Sequence, residues 1–106
     1  MVAVWQVQVA APNEEVATEL ARGAVEARLA AGGQVVGPLI TVFWHLGEFG
    51  TGEEWQVILK TTDERYPELE KHLVQRHEWK NPEITAVPLA AGLAPYLDWV
   101  QRTTSK

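Results

Sequence analysis

The sequence predicts an α+β fold, in which a sheet of four antiparallel strands carries helices on one face. Three observations lead to this prediction. Near the N-terminus apolar residues alternate with polar ones, apolar residues then recur at helical spacing, and the same succession returns after a hairpin. With 106 residues, of which 46% are hydrophobic and 22% charged, the chain has the composition of a single globular domain over residues 1–106.

The first strand and the first helix are the clearest elements. Over residues 2–9 apolar residues alternate with glutamines, which is typical of a half-buried strand. Asn13 suits a helix N-cap, because two glutamates follow it at the positive end of the helix dipole. Apolar residues recur at helical spacing over residues 16–31, and Gly32 and Gly33 predict the end of this helix.

The middle of the chain predicts a long β-hairpin. Residues 34–46 are rich in valine, isoleucine, phenylalanine and tryptophan, and they predict one long bent strand, in which Gly37 and Pro38 suggest a bulge or an edge strand. Residues 53–61 predict the returning strand. The glycines at positions 47, 50 and 52 are assigned to the turn between the two strands.

The second half of the chain repeats the succession of helix and strand. Thr62 and Asp63 predict the start of a second helix, residues 83–89 predict a short strand, and Pro95 opens a C-terminal helix. The order βαββαβ followed by a helix is the ferredoxin-like plan, an α+β sandwich with both main helices on one sheet face. We expect the other face to be apolar and to be covered by another subunit.

Composition excludes several classes of partner. The net charge of −5 disfavours binding to nucleic acid or to an anionic membrane, so neither partner is expected. The chain has no cysteine, which excludes disulfides and thiolate metal sites. The N-terminal segment lacks the basic start of a signal peptide, and no apolar run reaches about 20 residues, so we expect a cytoplasmic protein.

Short segments spread over nearly the whole chain resemble the CutA family of divalent-cation tolerance proteins. They are Ala-Arg-Leu-Ala-Ala at residues 27–31, Leu-Lys-Thr-Thr at 59–62, Tyr-Pro-Glu-Leu-Glu at 66–70, His77, Pro-Glu-Ile at 82–84 and Tyr-Leu-Asp-Trp at 96–99. The resemblance implies a homotrimer whose plan is shared with the PII signalling proteins. It also implies that the long second and third strands pair across subunits, and that ligand clefts lie between the subunits.

The resemblance further implies a divalent metal ion, copper in particular, as a cofactor. In some members a cysteine near the end of the first strand and paired histidines before a Pro-Tyr pair bind copper. Here Val9 replaces the cysteine, Arg76 and His77 replace the histidine pair, and Glu78 and Trp79 follow. His77 is therefore the predicted metal ligand, and a site with one imidazole should bind Cu²⁺ or another divalent metal weakly.

Three further residues are predicted to line the clefts, namely Lys60, Trp79 and Glu83. Lys60 and Glu83 could meet across neighbouring strands or across subunits, either beside a ligand or as a salt bridge that fixes the assembly. Trp79 could stack on a ligand, although aromatic residues in a small trimer more often anchor a core or an interface. His45 is expected at a subunit contact.

Three classes of function stay open at this stage. The leading hypothesis is a homotrimer of metal tolerance or metal response. A second is a PII-like module for a small anion or nucleotide, in which Lys60, Arg65 and Arg76 would neutralise charge. A third is a cofactor-free enzyme with a ferredoxin-like fold. Since no known catalytic motif occurs in the sequence, no catalytic residue is predicted and a protein without enzymatic activity is favoured.

Overall fold

The computed structural model describes residues 2–106, which form four strands and three helices. The elements are β1 (Val4–Ala11), α1 (Glu14–Glu26), β2 (Gly32–His45), β3 (Glu48–Thr62), α2 (Tyr66–Arg76), β4 (Ile84–Pro88) and α3 (Ala94–Thr104). The sheet has the strand order β2-β3-β1-β4, and every neighbouring pair is antiparallel. The predicted α+β, ferredoxin-like order with a C-terminal helix is confirmed.

The hydrophobic core lies between the sheet and the first two helices. The alternation of β1 and β3 turns Val7, Val9, Val57 and Leu59 toward α1 and α2, where all four are buried. The fully buried members on the sheet are Val7, Val9, Val57 and Leu59, and those on α2 are Leu69 and Leu73. A smaller cluster of Val4, Ala31 and Val100 attaches α3 to one end of the sheet.

Helix α1 begins as predicted but ends earlier. The Asn13 side chain accepts a hydrogen bond of 2.8 Å from the backbone N–H of Val16, which confirms the cap. The helix stops at Glu26, because the next residues bind the sheet. Thr61 Oγ1 donates a buried bond of 2.7 Å to the carbonyl of Leu29, and the N–H of Ala31 donates to the Lys60 carbonyl. The two glycines predicted to end the helix instead begin β2.

The hairpin turn is shorter than the sequence predicted. It consists of Leu46 and Gly47, which both have positive φ angles, of 51° and 80°. Such two-residue turns match the twist of antiparallel strands. Strand β3 therefore begins at Glu48, and the glycines at 50 and 52 lie within the strand. The predicted bulge is confirmed by a register shift between Val36 and Leu39.

Gly50 has a packing role in the strand. It is aligned with Phe43 of β2, and a Cβ atom added at Gly50 would lie 2.8 Å from Cε1 of the Phe43 ring. The missing side chain therefore lets the ring lie across the opposite strand. Because this contact forms between paired strands, the sequence alone suggested a turn instead.

The remaining predicted boundaries agree closely with the structure. Helix α2 starts at Tyr66, after a turn in which Thr62 Oγ1 accepts a hydrogen bond from the N–H of Arg65, so the predicted start was a few residues early. Proline occupies the first turn of both α2 and α3, as the sequence indicated. No helix in residues 2–106 is both long and apolar enough to cross a membrane.

The hairpin extends beyond the helices that cover the sheet. The 13 residues of α1 span about 20 Å, whereas the 15 residues of β3 span about 45 Å. We call residues 39–54, the far part of the hairpin, the arm. Its exposed apolar side chains are Ile40 (85% exposed), Val42 (60%), Phe43 (41%), Trp44 (73%), Leu46 (89%) and Phe49 (60%).

The open face of the sheet differs from the expectation. Residues that alternate with the core positions point to this face, and many of them are polar. They include Gln6, Gln8, Gln34, Gln56, Lys60 and Thr85, with Val36, Ile58 and Val87 among them. The expectation of an apolar open face was wrong, because most of the uncovered apolar surface lies on the arm.

The bond from Thr61 to Leu29 gives a test of the fold. Replacing Thr61 with valine keeps the shape of the side chain but leaves the Leu29 carbonyl buried without its donor. We expect a loss of about 1 to 3 kcal/mol in the free energy of unfolding, measured by urea denaturation. Thr85→Val, at an exposed strand position, is the matched control and should change stability little. Equal effects of the two substitutions would contradict this account.

Candidate functional site

A cavity of about 930 Å³ lies where the arm joins the rest of the sheet, and we call it the arm cavity. One wall is formed by the arm, from Thr41, Phe43, Trp44, His45, Gly52, Glu53 and Glu54. The opposite wall is formed by the end of β1 and the loop between α2 and β4, from Ala10, Pro12, Glu78, Trp79, Lys80, Asn81 and Glu83. Two of the predicted cleft residues, Trp79 and Glu83, therefore share one cavity.

The charge of the arm cavity is negative. Four glutamates line it, two on each wall, and Lys80 is the only lysine or arginine among its lining residues. Three aromatic residues also line the cavity, Phe43 and Trp44 on the arm and Trp79 on the loop. The Phe43 ring is held against the backbone of Gly50. The cavity thus combines acidic oxygens with flat apolar surfaces.

His77 lies behind the loop wall, with both ring nitrogens in hydrogen bonds. Its Nδ1 accepts a bond of 3.1 Å from the backbone N–H of Trp79. The other nitrogen, Nε2, therefore carries the proton and donates to the Ala10 carbonyl at 2.7 Å. The His77 ring also lies 5.0 Å from the Trp79 ring, between centroids. These contacts connect the end of α2, the end of β1 and the cavity wall.

The structure does not assemble a metal site around His77. Within residues 2–106, no three histidine, aspartate or glutamate side chains are grouped closely enough to hold one metal ion. A metal ion on His77 would have to displace either Ala10 or the N–H of Trp79 from the ring. His77 as a metal ligand stays a prediction, and its geometry fits a structural role without a metal.

Lys60 and Glu83 do not meet within one chain. Glu83 accepts a hydrogen bond of 3.4 Å from Gln56 Nε2, on the neighbouring part of β3. Lys60 lies four residues after Gln56 on β3, which places the two residues about 13 Å apart. Lys60 is aligned with Gln6 of β1 and Gly32 of β2. The prediction that Lys60 meets Glu83 across neighbouring strands was therefore wrong for the single chain. A meeting across subunits stays a prediction.

The three cations proposed for an anion site are dispersed. Lys60 lies on the open sheet face, while Arg65 donates to Glu68 at 3.0 Å and to the Arg28 carbonyl. Arg76 lines a separate cavity of about 560 Å³ between α1 and α2, together with glutamates. One chain therefore brings together no pair of these cations, and the basic side chains that would bind a nucleotide phosphate do not share a site.

A contact between α1 and α2 was not indicated by the sequence. Gly23 in the middle of α1 lies against His72 of α2, and a Cβ atom at Gly23 would be 3.4 Å from His72 Nε2. This nitrogen is buried and has no hydrogen-bond partner among the described residues. Burial lowers the pKa of His72, and the nearby Arg76 guanidinium lowers it further. A glycine inside a predicted helix was the available signal for such a close approach.

The fold and the arm cavity define a class of protein, namely a ferredoxin-like α+β protein with a projecting, uncovered β-hairpin. Comparison with known proteins gives the family. The sequence model described as "CutA1 divalent ion tolerance protein" matches residues 5–103. The chain belongs to this family.

Several similar proteins carry the CutA name. The divalent-cation tolerance protein CutA of Thermus thermophilus is 37% identical over 98 residues, which cover 92% of this chain and 95% of the relative. A solved CutA1 structure from the same organism has a TM-score of 0.93 at 35% identity, covering 96% of this chain and 99% of the other. CutA1 from Oryza sativa has a TM-score of 0.95 at 31% identity, covering 99% and 96%.

The names of other relatives bear on location and activity. The curated rice relative is called chloroplastic, and this chain spans 55% of its length. The solved CutA structure from Archaeoglobus fulgidus is called periplasmic. The predicted cytoplasmic residence is therefore not confirmed. The names of the family model and of these relatives are not those of enzymes.

Because His72 is partly buried, we expect the free energy of unfolding to decrease at acidic pH. Its pKa is lower in the folded chain than the value of about 6.5 for a free histidine. The contribution of His72 to the free energy of unfolding is therefore fully present above about pH 6.5. It is lost as the pH falls toward the pKa of the folded chain, because the unfolded chain takes up the proton first. When urea denaturation is repeated from about pH 7.5 down to about pH 5, a range that spans the pKa of free histidine, His72→Gln should lose less stability than the wild type.

Lys71→Gln controls for the loss of a positive charge from the same helix, since Lys71 is exposed. It should keep the wild-type dependence on pH. A His72→Gln protein with the wild-type slope would show that the buried ring does not determine it.

Proposed function

We propose that the protein is a homotrimer that acts in tolerance of, or response to, divalent metal ions, with ligand clefts between its subunits. Residues 1–106 are proposed to be one CutA-like domain. The observation that carries the proposal is the exposed apolar surface of the arm, which one chain leaves in contact with water. Contiguous apolar surface of this kind is typical of an interface with another protein.

The shape of the chain supports the assembly. Its extents are 44 × 25 × 21 Å and its radius of gyration is 14.4 Å, against about 13 Å for a compact domain of this length. The excess arises because the arm extends past the helices. Ile40 and Val42 alternate with the cavity-lining positions Thr41 and Phe43. A neighbouring subunit that covered them would bury apolar surface and leave the cavity at the edge of the contact.

The clefts are proposed to form where such a neighbour meets the arm cavity. Trp79 and Glu83 would come from the cavity wall, and Lys60 would come from the open sheet face of another subunit. This arrangement keeps the three predicted residues together without requiring Lys60 and Glu83 to meet inside one chain. It also gives Lys60 a carboxylate partner, which it lacks among the described residues of its own chain at salt-bridge distance.

The metal response is proposed to involve weak binding of Cu²⁺ or another divalent ion at His77. The ring must give up one of two hydrogen bonds before it binds a metal, which lowers the apparent affinity. A role in binding rather than in catalysis is proposed, since no known catalytic motif occurs in the sequence. Cytoplasmic residence stays a prediction.

A charge placed on the arm should disrupt the assembly. In Val42→Lys an ammonium replaces an apolar side chain that the proposal buries between subunits, and burying an unpaired charge is costly. Native mass spectrometry should show the wild type at three times the mass of the 11.8 kDa chain, and the variant largely as monomer. Gln75→Lys introduces the same charge on exposed helix α2 and should stay trimeric. A trimeric Val42→Lys protein, or a dimeric wild type, would contradict the proposal.

Titration with copper tests the metal ligand. Metal-stripped wild-type protein should bind Cu²⁺ weakly, and His77→Ala should reduce that binding by about tenfold or more, followed by isothermal calorimetry. His72→Gln removes a different imidazole on the same helix and serves as the control. If His77→Ala binds copper as the wild type does while remaining folded and trimeric, His77 is not the ligand.

A further inference from the structure

A second group of exposed apolar side chains lies on α3, and we call Leu93, Tyr96 and Trp99 the α3 patch. These residues keep 74%, 39% and 39% of their surface exposed. They follow one side of the helix at intervals of three residues, whereas Leu97 and Val100 pack in the small cluster that attaches α3 to the sheet. The rings of Tyr96 and Trp99 lie 5.6 Å apart, between centroids. In a single chain, α3 therefore presents a contiguous apolar surface to water.

The other exposed large apolar side chains outside the arm do not form such a group. Val36 and Val87 lie among the polar residues of the open sheet face. Val74 is the one such residue on α2, and Trp79 belongs to the wall of the arm cavity. Within residues 2–106, the arm and the α3 patch are thus the two places where several large apolar side chains are exposed together.

These two surfaces lie at opposite ends of the sheet. Helix α3 is attached beside Val4, where β1 begins, whereas the arm extends beyond Ala11, where β1 ends. The chain is 44 Å long in its longest direction, so the arm cannot reach the α3 patch of its own chain. A contact between the two surfaces therefore requires a second copy of the chain.

A trimer needs contacts between two different surfaces. In a closed ring of three subunits, each subunit offers one surface to the next subunit and a different surface to the previous one, whereas a surface that pairs with itself gives a dimer. The arm supplies one apolar surface of the proposed trimer. The α3 patch is the other apolar surface that the chain offers for this role.

The charges beside the two surfaces are complementary. The arm carries three glutamates and neither lysine nor arginine. Two arginines border the α3 patch, since Arg102 lies one turn after Trp99 and Arg28 donates a hydrogen bond of 3.3 Å to the Thr103 carbonyl. Asp98 is the only acidic residue of α3. These charges favour contact of the arm with α3 over contact between two arms, in which only carboxylates would meet.

We infer that the arm of each subunit docks on the α3 patch of the next subunit, which closes the trimer into a ring. The inference rests on the proposed function and names the surface that covers the arm. The Trp99 ring lies against Gly32, where a Cβ atom would be 3.5 Å from Cη2 of the ring. Gly32 is aligned with Lys60. A docked arm would therefore lie beside Lys60 of the subunit that holds it, as the proposed clefts require.

Chemical cross-linking tests the contact, because the chain has no cysteine of its own. Leu93→Cys is combined with an arm cysteine, at Leu46 in the tip or at Ile40 near the base, and each double variant is treated with a short bismaleimide linker. Because the contact joins unlike surfaces, at least one double variant should give covalent dimers and trimers on a denaturing gel. The single variants should remain monomers on that gel. Leu93→Cys combined with Gln75→Cys on exposed α2 is the matched control and should not cross-link.

A charge placed on the α3 patch gives a second test. The Leu93 side chain is exposed and does not cap α3, so Leu93→Lys should leave the single chain folded. Burying the added ammonium under an arm is costly, and native mass spectrometry should therefore show this variant largely as monomer. Gln101→Lys adds the same charge at an exposed position on another side of the helix and should stay trimeric.

Several results would overturn the inference. A trimeric protein whose double variants stay free of cross-links at both arm positions would reject the contact and leave the proposed assembly intact. Cross-linking of Leu46→Cys alone would show that the arms meet each other. A Leu93→Lys protein that stays trimeric would exclude the α3 patch from the interface. A monomeric or dimeric wild type would instead reject the proposed function.

Discussion

The mismatch in length between the hairpin and the helices determines much of this structure. Strand β3 is about 45 Å long, whereas α1, which packs against the sheet, is about 20 Å long. Helix cover therefore ends before the hairpin does, and the arm carries its apolar side chains into solvent. The exposed surface, the arm cavity at its base and the elongated outline of the chain all follow from this one constraint.

The arm has a defined backbone conformation and specific side-chain packing. Its turn places Leu46 at a φ of 51°, a conformation that an L-residue adopts at a cost of about 1 to 2 kcal/mol. The side chain of Leu46 is nevertheless almost fully exposed, and its neighbours Trp44 and Phe49 form an edge-to-face pair with centroids 5.7 Å apart. An apolar tip with a defined backbone is suited to contact with another surface. In the middle of the arm, Gly50 accommodates the ring of Phe43.

His77 illustrates how a position associated with metal binding can have a structural role. Its two hydrogen bonds join the end of β1 to the loop that carries Trp79, so the ring holds one wall of the arm cavity in place. Cavity shape and metal affinity then depend on the same imidazole. Any metal bound there would loosen the wall, which couples metal binding to the arrangement of the proposed cleft.

Much of the fold could be predicted from the sequence, because the core strands alternate regularly and the helices carry clear caps and prolines. The order of elements, the Asn13 cap and the bulge before Leu39 were all confirmed. Errors occurred where contacts between distant segments override local signals. Residues 27–31 leave the helix to bond with β3, and the glycines at 50 and 52 serve strand packing.

The site was predictable only in part, for the same physical reason. Trp79 and Glu83 lie close in sequence and share the arm cavity, while Lys60 is separated from them by the register of β3. The open face was expected to be apolar, yet its glutamines were visible in the first strand as the residues that alternate with the valines. The glutamates on the two walls of the arm cavity come together only because the arm lies opposite the loop between α2 and β4. No local sequence pattern indicates that arrangement.

The central claim is that the arm is covered by another subunit, and amide hydrogen exchange tests it most directly. A lone chain would leave residues 39–54 with few buried contacts, so their amides would exchange by local opening far faster than those of β1. The account predicts that, in the native protein, arm amides exchange nearly as slowly as those of Val7 and Val9 in the core. Fast exchange throughout the arm under conditions that leave β1 protected would contradict it.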